Sequence, residues 1–228
     1  MLYLIGLGVS KNHITLGAIE AVKKCDELYL ESYTSLGLSK EELEEIFNKK
    51  IELVDRDFVE NFDVNRCSKN IGILVYGDIF SATTHVSLLL DCKNKNIKYE
   101  LVNGISILTL IGNIGLNLYN FGKVISVPFQ DVDLIKGLKD NGDLHTLFLL
   151  DLNPKENKFV SINEALKRLL DQGMDDRLCI GVEKLGFSDE RIVVKKAKEM
   201  VQFDKYPQCL IVVGKLHFVE EEILDGFK

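Results

Sequence analysis

The 228-residue sequence contains no apolar run approaching the roughly twenty residues that a membrane-spanning helix requires. Its first residues, MLYLIGLG, lack the basic segment that begins a signal peptide, and they pass directly into a strand-like pattern. Basic residues are outnumbered: 28 Lys and Arg against 35 Asp and Glu give a net charge of -7. A nucleic-acid-binding surface needs a basic stripe to neutralise phosphates. We therefore expect neither membrane nor nucleic acid as a partner.

The five cysteines follow no pattern typical of a metal site or a disulfide framework. Their number is odd, no two have Cys-x-x-Cys spacing, and the four histidines do not flank them in a zinc-binding arrangement. We expect reduced, buried cysteines in a cytoplasmic protein without a bound metal. They are Cys25, Cys67, Cys92, Cys179 and Cys209.

One stretch, Ile71 to His85, carries the clearest functional pattern. It begins with branched apolar residues typical of a strand buried on both faces of a parallel sheet, and it then turns at Gly77-Asp78. Ser81, Thr83 and Thr84 follow, and they open a helix that we expect to extend to about Asn94. Ligands bind at the carboxyl ends of strands in open α/β sheets, so Asp78 is a candidate ligand contact. The alternative is that Asp78 only caps the following helix.

Two further glycine turns follow predicted strands. Gly6-Leu7-Gly8 comes directly after Leu2 to Ile5, but Lys11 stands where a dinucleotide-binding fingerprint requires a third glycine. This departure disfavours a nicotinamide-binding protein and leaves a plain tight turn as an alternative. Asn103-Gly104-Ile105-Ser106-Ile107 follows a strand at Tyr99 to Val102 and begins a helix directed towards Gly115. The three loops could line one cleft.

Short apolar runs alternate with charged helical stretches along the chain, which indicates an α/β fold. Helix starts are predicted at Thr15, at Ser39 with Glu42, and at Ser161 with Glu164. The Gly- and Asn-rich passage from Gly112 to Gly122 separates two halves, so we predict domains at 1–121 and 122–228. The acidic run Glu220 to Glu222 is interpreted as a solvated face. Strands of the second half are predicted at 124–127, 145–152, 178–182, 192–194 and 210–213.

With these residues in view, the chain resembles the diphthine synthases, in their archaeal form, within the tetrapyrrole methylase superfamily of S-adenosylmethionine-dependent methyltransferases. The matching segments span nearly the whole chain. They are Tyr3 to Gly8, Glu31 to Ser35, Gly77-Asp78, Ala82 to His85, Gly104 to Ile107, Gly115 to Lys123, His145 to Leu147 and Gly214 to His217.

The resemblance implies two α/β domains with the cofactor cleft between them, in a homodimer. It also implies the reaction, which is repeated methylation of the amino group of a 3-amino-3-carboxypropyl-modified histidine of elongation factor 2. S-adenosylmethionine is the donor and S-adenosylhomocysteine the product. The donor is already activated, so much of the rate can come from holding donor and amine in attack geometry and excluding water. We assign no catalytic residue.

The resemblance further implies eight cofactor contacts, some of them through backbone groups. In the first predicted domain they lie in the three loops, and in the second they lie near strand ends. The candidates are Val9, Asp78, Ser81, Ser106, Ile107, Leu150, Leu185 and Gln208. For Leu150 and Leu185 the alternative role is core packing, and for Ser106 it is a helix cap.

The sequence departs from the family pattern at two turns. Gly77-Asp78-Ile79 replaces Gly-Asp-Pro and loses a stiffening proline, and Glu183-Lys184-Leu185-Gly186 has lysine where relatives often carry arginine. The chain is also shorter than typical relatives between Pro128 and His145. Two alternatives stay open at this point: a tetrapyrrole or ribosomal-RNA methyltransferase of the same fold, and a relative that binds the cofactor without methylating.

Overall fold

The computed structural model describes residues 1–81 and 85–227. The chain divides into two compact units, Met1–Leu108 and Thr109–Lys228. The sequence predicts a domain boundary at the end of the Gly- and Asn-rich passage. In the structure this passage lies at the start of the second unit. Within the described ranges, no helix is long and apolar enough to cross a membrane, and no group of three metal-ligating side chains is found.

The first unit is built on a five-stranded, all-parallel sheet with the order β3-β2-β4-β1-β5. Its strands are β1 (Leu2–Gly6), β2 (Glu27–Glu31), β3 (Glu52–Val54), β4 (Ile71–Val75) and β5 (Tyr99–Val102). The helices are α1 (Leu16–Lys24), α2 (Lys40–Phe47), α3 (Arg56–Glu60) and α4 (Val86–Asn94), with 3₁₀ turns at Lys11–His13 and Val64–Arg66. Every residue of β1 and of β4 is buried, as expected of central strands covered on both faces.

Two apolar clusters cover the faces of this sheet. One contains Ala18 and Val22 of α1 with Leu43 of α2, and the other contains Val59 of α3 with Leu88 of α4. These helices begin where the sequence places caps: Thr15 Oγ1 accepts from Ala18 N at 3.0 Å, and Ser39 and Glu42 form a complete capping box. The predicted start of α4 at Thr83 and Thr84 lies outside the described residues.

The second unit contains a mixed five-stranded sheet with the order β11-β10-β12-β7-β6, in which only the β6–β7 pair is parallel. Its strands are β6 (Ile125–Val127), β7 (Thr146–Leu150), β10 (Leu178–Glu183), β11 (Arg191–Lys196) and β12 (Gln208–Val212). The predicted strand from His145 to Leu152 is divided, because Leu152–Asn153 (β8) pairs with Lys158–Phe159 (β9) in a separate antiparallel ribbon.

The helices of the second unit are α6 (Leu134–Asn141), α7 (Ile162–Asp171) and α8 (Phe218–Asp225), and 3₁₀ turns lie at Ile111–Ile114, Leu118–Asn120, Pro154–Glu156 and Ala197–Glu199. Ser161 caps α7 by accepting from Glu164 N at 3.1 Å. The Glu164 carboxylate does not complete a capping box, because it pairs with Arg168 one turn later. The boundary between the units in the sequence falls within α5 (Ile107–Leu110). This helix is a single turn that continues as 3₁₀ helix, so the predicted helix towards Gly115 is tighter than expected.

Candidate functional site

The strand order of the first unit creates a switch point between β1 and β4. The connection after β1 leads through α1 to β2 on one side, whereas the connection after β4 leads through α4 to β5 on the other. The loops that leave these two neighbouring strands therefore separate at the carboxyl edge of the sheet. In open α/β sheets a ligand crevice forms at such a point.

The glycines at this edge bring three backbones together. Gly8 and Gly77 exchange two backbone hydrogen bonds, of 3.0 and 2.9 Å. A Cβ on Gly104 would lie 2.1 Å from the Gly77 carbonyl oxygen, and one on Gly6 would lie 2.6 Å from Gly104 N. Gly6 and Gly104 are therefore required for contact between the loops after β1, β4 and β5. The three loops thus meet at one edge of this sheet through backbone contacts, and their lining of a ligand cleft stays a prediction.

The carboxylate of Asp78 fastens the loop after β4 to the loop after β5. Its Oδ2 accepts from Gly104 N at 3.2 Å, and its Oδ1 accepts from Phe80 N at 3.0 Å and from Ser81 Oγ at 3.4 Å. An ionised carboxylate has about four acceptor positions, so these three bonds leave capacity for a ligand. Asp78 is half-buried. It caps its own turn and also faces the edge where a ligand would bind.

The other candidates of the first unit lie on the same edge. Val9 follows the Gly8–Gly77 bridge and is half-buried, and Ser81 is tied to Asp78. The Cα of Ser106 would lie 3.8 Å from a Cβ on Gly77, which places Ser106 and Ile107 against the loop after β4. Ser106 Oγ accepts from Leu108 N at 3.1 Å, a cap-like bond at the start of α5.

The three candidates of the second unit gather at one end of its sheet. Leu150 is the last residue of β7, Gln208 is the first of β12, and Leu185 follows β10 by two residues. Gln208 pairs with Glu183 at the end of β10, so the three strand ends are neighbours. Gln208 also has a structural task, since its Oε1 accepts from Ile162 N at 3.0 Å and its Nε2 donates to Lys205 O at 2.9 Å.

The turn that carries Leu185 has two left-handed residues, Lys184 (φ 53°) and Gly186 (φ 84°), and it buries Leu185 between them. Lys184 Nζ lies 2.7 Å from Asp189 Oδ1, and Lys205 Nζ lies 2.8 Å from its Oδ2. These two ammonium groups lower the pKa of Asp189 to about 2. Lys184, where the sequence departs from the family pattern, therefore forms an ion pair with a carboxylate of its own unit.

A buried pair outside the eight candidate contacts lies beside the loop after β4. His85 Nε2 is 3.2 Å from Glu31 Oε2, and the two side chains are 1% and 0% exposed. Despite this close approach, neither atom has a hydrogen-bond partner with adequate geometry in the described part of the chain, the other atom of the pair included. Thr34 donates to the other oxygen of Glu31, and His85 Nδ1 lies 3.3 Å from the carbonyl oxygen of Ile79.

Tyr33 lies next to this pair in the segment after β2. Its hydroxyl is buried and has no hydrogen-bond partner among the described residues, and the Arg56 guanidinium lies 5.3 Å from the ring centroid. Burial, with the Glu31 charge as the second cause, raises the pKa of Tyr33. One sequence feature could identify this buried pair: a charged residue, Glu31, stands at the end of a buried strand. The same feature identifies Asp78 as a candidate ligand contact.

A second buried histidine–glutamate pair lies in the other unit. His145 Nε2 is 3.4 Å from Glu220 Oε1, and the side chains are 0% and 1% exposed. The same carboxylate accepts from Asn117 N at 2.8 Å, from Asn120 Nδ2 at 3.2 Å and from His217 N at 2.8 Å. The prediction that Glu220 belongs to a solvated face is wrong, because these donors draw its carboxylate inward. Glu221 and Glu222 are exposed as expected.

Comparisons with known proteins agree with this arrangement. Residues 1–201 match the family model "Tetrapyrrole (Corrin/Porphyrin) Methylases". The diphthine synthase of Methanocaldococcus jannaschii is 36% identical over 251 residues, covering 98% of this chain and 97% of the relative. The human diphthine methyl ester synthase is 32% identical over 271 residues, covering 100% and 95%. The chain belongs to the diphthine synthase family.

The solved structures lead to the same family. A crystal structure of diphthine synthase matches with a TM-score of 0.93 and 32% identity over 99% of this chain and 95% of that one. The predicted α/β fold is thus confirmed, and so is the expected class of enzyme, an S-adenosylmethionine-dependent methyltransferase. The five cysteines are free and buried, as expected.

The residues present at the carboxyl edge of the first unit fit such a donor. S-adenosylmethionine carries ribose hydroxyls and an ammonium group, which a half-buried carboxylate with a remaining acceptor position can bind. Asp78 supplies that carboxylate, and its bonds to Gly104 and Phe80 hold it in place. The eight candidate contacts remain a prediction, with the first five grouped on one sheet edge.

Proposed function

We propose that this protein transfers methyl groups from S-adenosylmethionine to the amino group of a 3-amino-3-carboxypropyl-modified histidine of elongation factor 2, and that the trimethylated product is diphthine. The observation that carries this proposal is the full-length similarity to diphthine synthases in both sequence and fold. The acidic net charge of -7 is more compatible with a protein acceptor than with ribosomal RNA.

The bound donor supplies a methyl group on a positively charged sulfur, so the transfer needs positioning more than it needs an acid or base. In the first unit, Asp78 would hold polar groups of the donor, while Gly6, Gly77 and Gly104 fix the loops that carry it. In the second unit, Leu150, Leu185 and Gln208 would contribute from their shared sheet end. Because Gln208 is already fixed through Ile162 and Lys205, its contact would be pre-organised.

The number of methyl groups separates two products. Some relatives are diphthine synthases and others are diphthine methyl ester synthases, and their identities to this chain, 36% and 32%, are similar. We propose three transfers, all to nitrogen. A fourth methyl group, removed by mild alkali, would instead identify a carboxylate ester.

The experiment is incubation of the purified protein with S-adenosylmethionine and elongation factor 2 that carries the unmethylated modification, followed by intact-mass measurement. We expect the mass increase of three methyl groups, mapped to the modified histidine. Absence of any increase, with S-adenosylhomocysteine still bound by the protein, would identify a relative that binds the cofactor without methylating. Labelled methyl groups in RNA or a tetrapyrrole would overturn the choice of acceptor.

We also propose that the protein is a cytoplasmic homodimer, by analogy with the family. Light scattering at micromolar concentrations should give twice the chain mass of 25.8 kDa. A mass that stays at the monomer value across the range would reject the dimer.

A further inference from the structure

The buried pair of Glu31 and His85 joins two neighbouring strand ends of the first unit. Glu31 is the last residue of β2, and His85 directly precedes α4, on the connection that leaves β4. Since β2 and β4 are hydrogen-bonded neighbours, the pair lies at the same carboxyl edge as Asp78. Both side chains are shielded from solvent, at 0% and 1% exposure.

The contacts of the pair determine the role of His85 Nδ1. The Ile79 carbonyl oxygen, 3.3 Å from His85 Nδ1, can only accept a hydrogen bond, so Nδ1 carries a proton. The other nitrogen, Nε2, lies 3.2 Å from Glu31 Oε2, and the two atoms meet without a hydrogen bond of adequate geometry. Both side chains are closed to solvent. The pair is therefore out of reach of an acceptor amine.

The same contacts fix the loop that carries Asp78. His85 is bound to the backbone of Ile79 on the β2 side, while Asp78 Oδ2 is bound to Gly104 N on the β5 side. Ile79 itself is fully buried. These contacts hold the short loop from both of its sides.

We propose that Glu31 and His85 are positioning residues for the methyl donor. Glu31 fixes the imidazole ring, the ring fixes the Ile79 carbonyl, and the loop thereby presents the Asp78 carboxylate and the Ser81 hydroxyl in the geometry that the donor requires. This inference rests on the proposed donor site at Asp78. It does not depend on which acceptor is methylated.

Two near-isosteric variants test the path through Ile79. The amide nitrogen of glutamine takes the place of Nε2, so His85→Gln keeps a donor towards Glu31 and loses the bond to Ile79. The amide nitrogen of asparagine takes the place of Nδ1, so His85→Asn keeps a donor towards Ile79 and loses the contact with Glu31. The matched control is His145→Gln, which disturbs the buried pair of the second unit.

The readouts are the Kd for S-adenosylhomocysteine by calorimetry, KM and kcat for the donor, and the melting temperature. We expect all three variants to melt at lower temperature. His85→Gln should raise the Kd and the donor KM on the order of tenfold, with a smaller change in kcat. His85→Asn keeps the Ile79 contact but loses the support of Glu31, so it should raise the Kd by a smaller factor of about threefold, and His145→Gln should leave the Kd unchanged.

An unchanged Kd for His85→Gln would overturn the proposal and leave a purely structural pair. Equal losses of affinity in the glutamine and asparagine variants would also overturn it, because the Ile79 contact would then not be the path. Equal losses in His145→Gln would show a general effect of destabilisation. If the wild-type protein binds S-adenosylhomocysteine but methylates no elongation factor 2, the proposed acceptor fails while the positioning role is still decided by these affinities.

Discussion

Each unit of this protein buries one histidine–glutamate pair, and the two pairs are built differently. In the second unit, Gly214 N donates to His145 Nδ1 at 3.0 Å, so that nitrogen is bare and the proton is on Nε2, facing Glu220. The Glu220 carboxylate also accepts from two backbone N–H groups and one amide side chain. This network is satisfied and carries one negative charge. In the pair of Glu31 and His85, Nδ1 of the histidine instead faces an acceptor, the Ile79 carbonyl oxygen, and fewer donors reach the carboxylate.

This difference in hydrogen bonding distinguishes a pair that stabilises the fold from a pair that supports a candidate ligand site. The Glu220 network joins a passage near Asn117, a strand end at His145 and the start of α8 at His217, and all of these belong to one unit. A fully satisfied buried network mainly rigidifies a fold. The Glu31 pair is instead bound to a loop that carries a candidate ligand contact. Variants of the Glu220 network should therefore change stability, and variants of the polar groups at the carboxyl edge of the first unit should change ligand affinity.

The largest effect is expected for Glu220→Ala. It leaves a buried histidine and three donors without their acceptor, so the free energy of unfolding should fall by about 3–5 kcal/mol. Urea denaturation measures this change. The control is Glu222→Ala on the same helix, whose side chain is exposed and whose removal should cost less than about 0.5 kcal/mol. Similar small losses for both would show that the Glu220 network contributes little to stability.

The next largest effect is expected for Asp78→Asn. The variant keeps one side-chain oxygen for the loop but removes the charge available to the donor, so affinity for S-adenosylhomocysteine should fall roughly ten- to a hundredfold. Calorimetry measures it against Asp57→Asn, an exposed carboxylate of the same unit, which should bind as wild type does. If Asp78→Asn binds equally well, Asp78 acts only within its own turn.

A smaller effect on stability is expected for Gly104→Ala. Its Cβ would lie 2.1 Å from the Gly77 carbonyl oxygen and 2.7 Å from Gly6 C, and such overpacking costs about 1–3 kcal/mol or more. Gly17→Ala is the control, because its Cβ would meet Val102 at an ordinary 3.5 Å, and it should stabilise helix α1 by about 0.4–1 kcal/mol. Equal melting temperatures for the two variants would contradict the close approach of the loops.

The pH dependence of stability should belong mainly to the second unit. Burial, opposed by the Glu220 charge, lowers the pKa of His145 below its usual 6.5. The unfolded chain therefore binds a proton more readily than the folded one, and stability should fall as the pH drops below about 6.5. Urea midpoints between about pH 8 and pH 5 should show this slope, and His145→Gln should flatten it. An equal slope in the variant would assign the effect to other groups.

At more acid pH the Glu220 carboxylate adds to this loss. Burial raises its pKa, but hydrogen bonds from His217 N and Asn117 N lower it further, and the net direction is downwards. A carboxylate with a lowered pKa in the folded state stabilises above its unfolded pKa, and this contribution disappears as the pH falls through the folded value. Both groups thus act in the same direction.

The elements that local pattern defines were predictable from the sequence. The apolar run of β4, the caps at Thr15 and Ser39 and the glycine turn at Gly77 are all contained within short windows. The order of the strands in the sheet was not predictable from local pattern, because β1 lies between β4 and β5 through contacts with residues about seventy to a hundred positions away. The candidates in the second unit rested on family resemblance, since Leu150 and Leu185 have no local signature of a ligand contact.

The burial of Glu220 shows why buried polar contacts between distant residues could not be predicted from the sequence. Three consecutive acids on a short helix predict a solvated face, and two of the three conform. The third is buried because Asn117 and Asn120, about a hundred residues earlier, direct donors at it. The same limit applies to Glu31 and His85, which are 54 residues apart in the sequence and 3.2 Å apart in space.

The most direct test of the difference between the two pairs is ¹⁵N NMR of histidine-labelled protein at neutral pH. His85→Asn and His145→Gln assign the two imidazole signals. We predict that Nδ1 of His85 carries a proton, as its bond to the Ile79 carbonyl requires, and that Nδ1 of His145 is bare and accepts from Gly214 N. A bare Nδ1 in both histidines would contradict the opposite proton arrangement and, with it, the positioning role of Glu31 and His85.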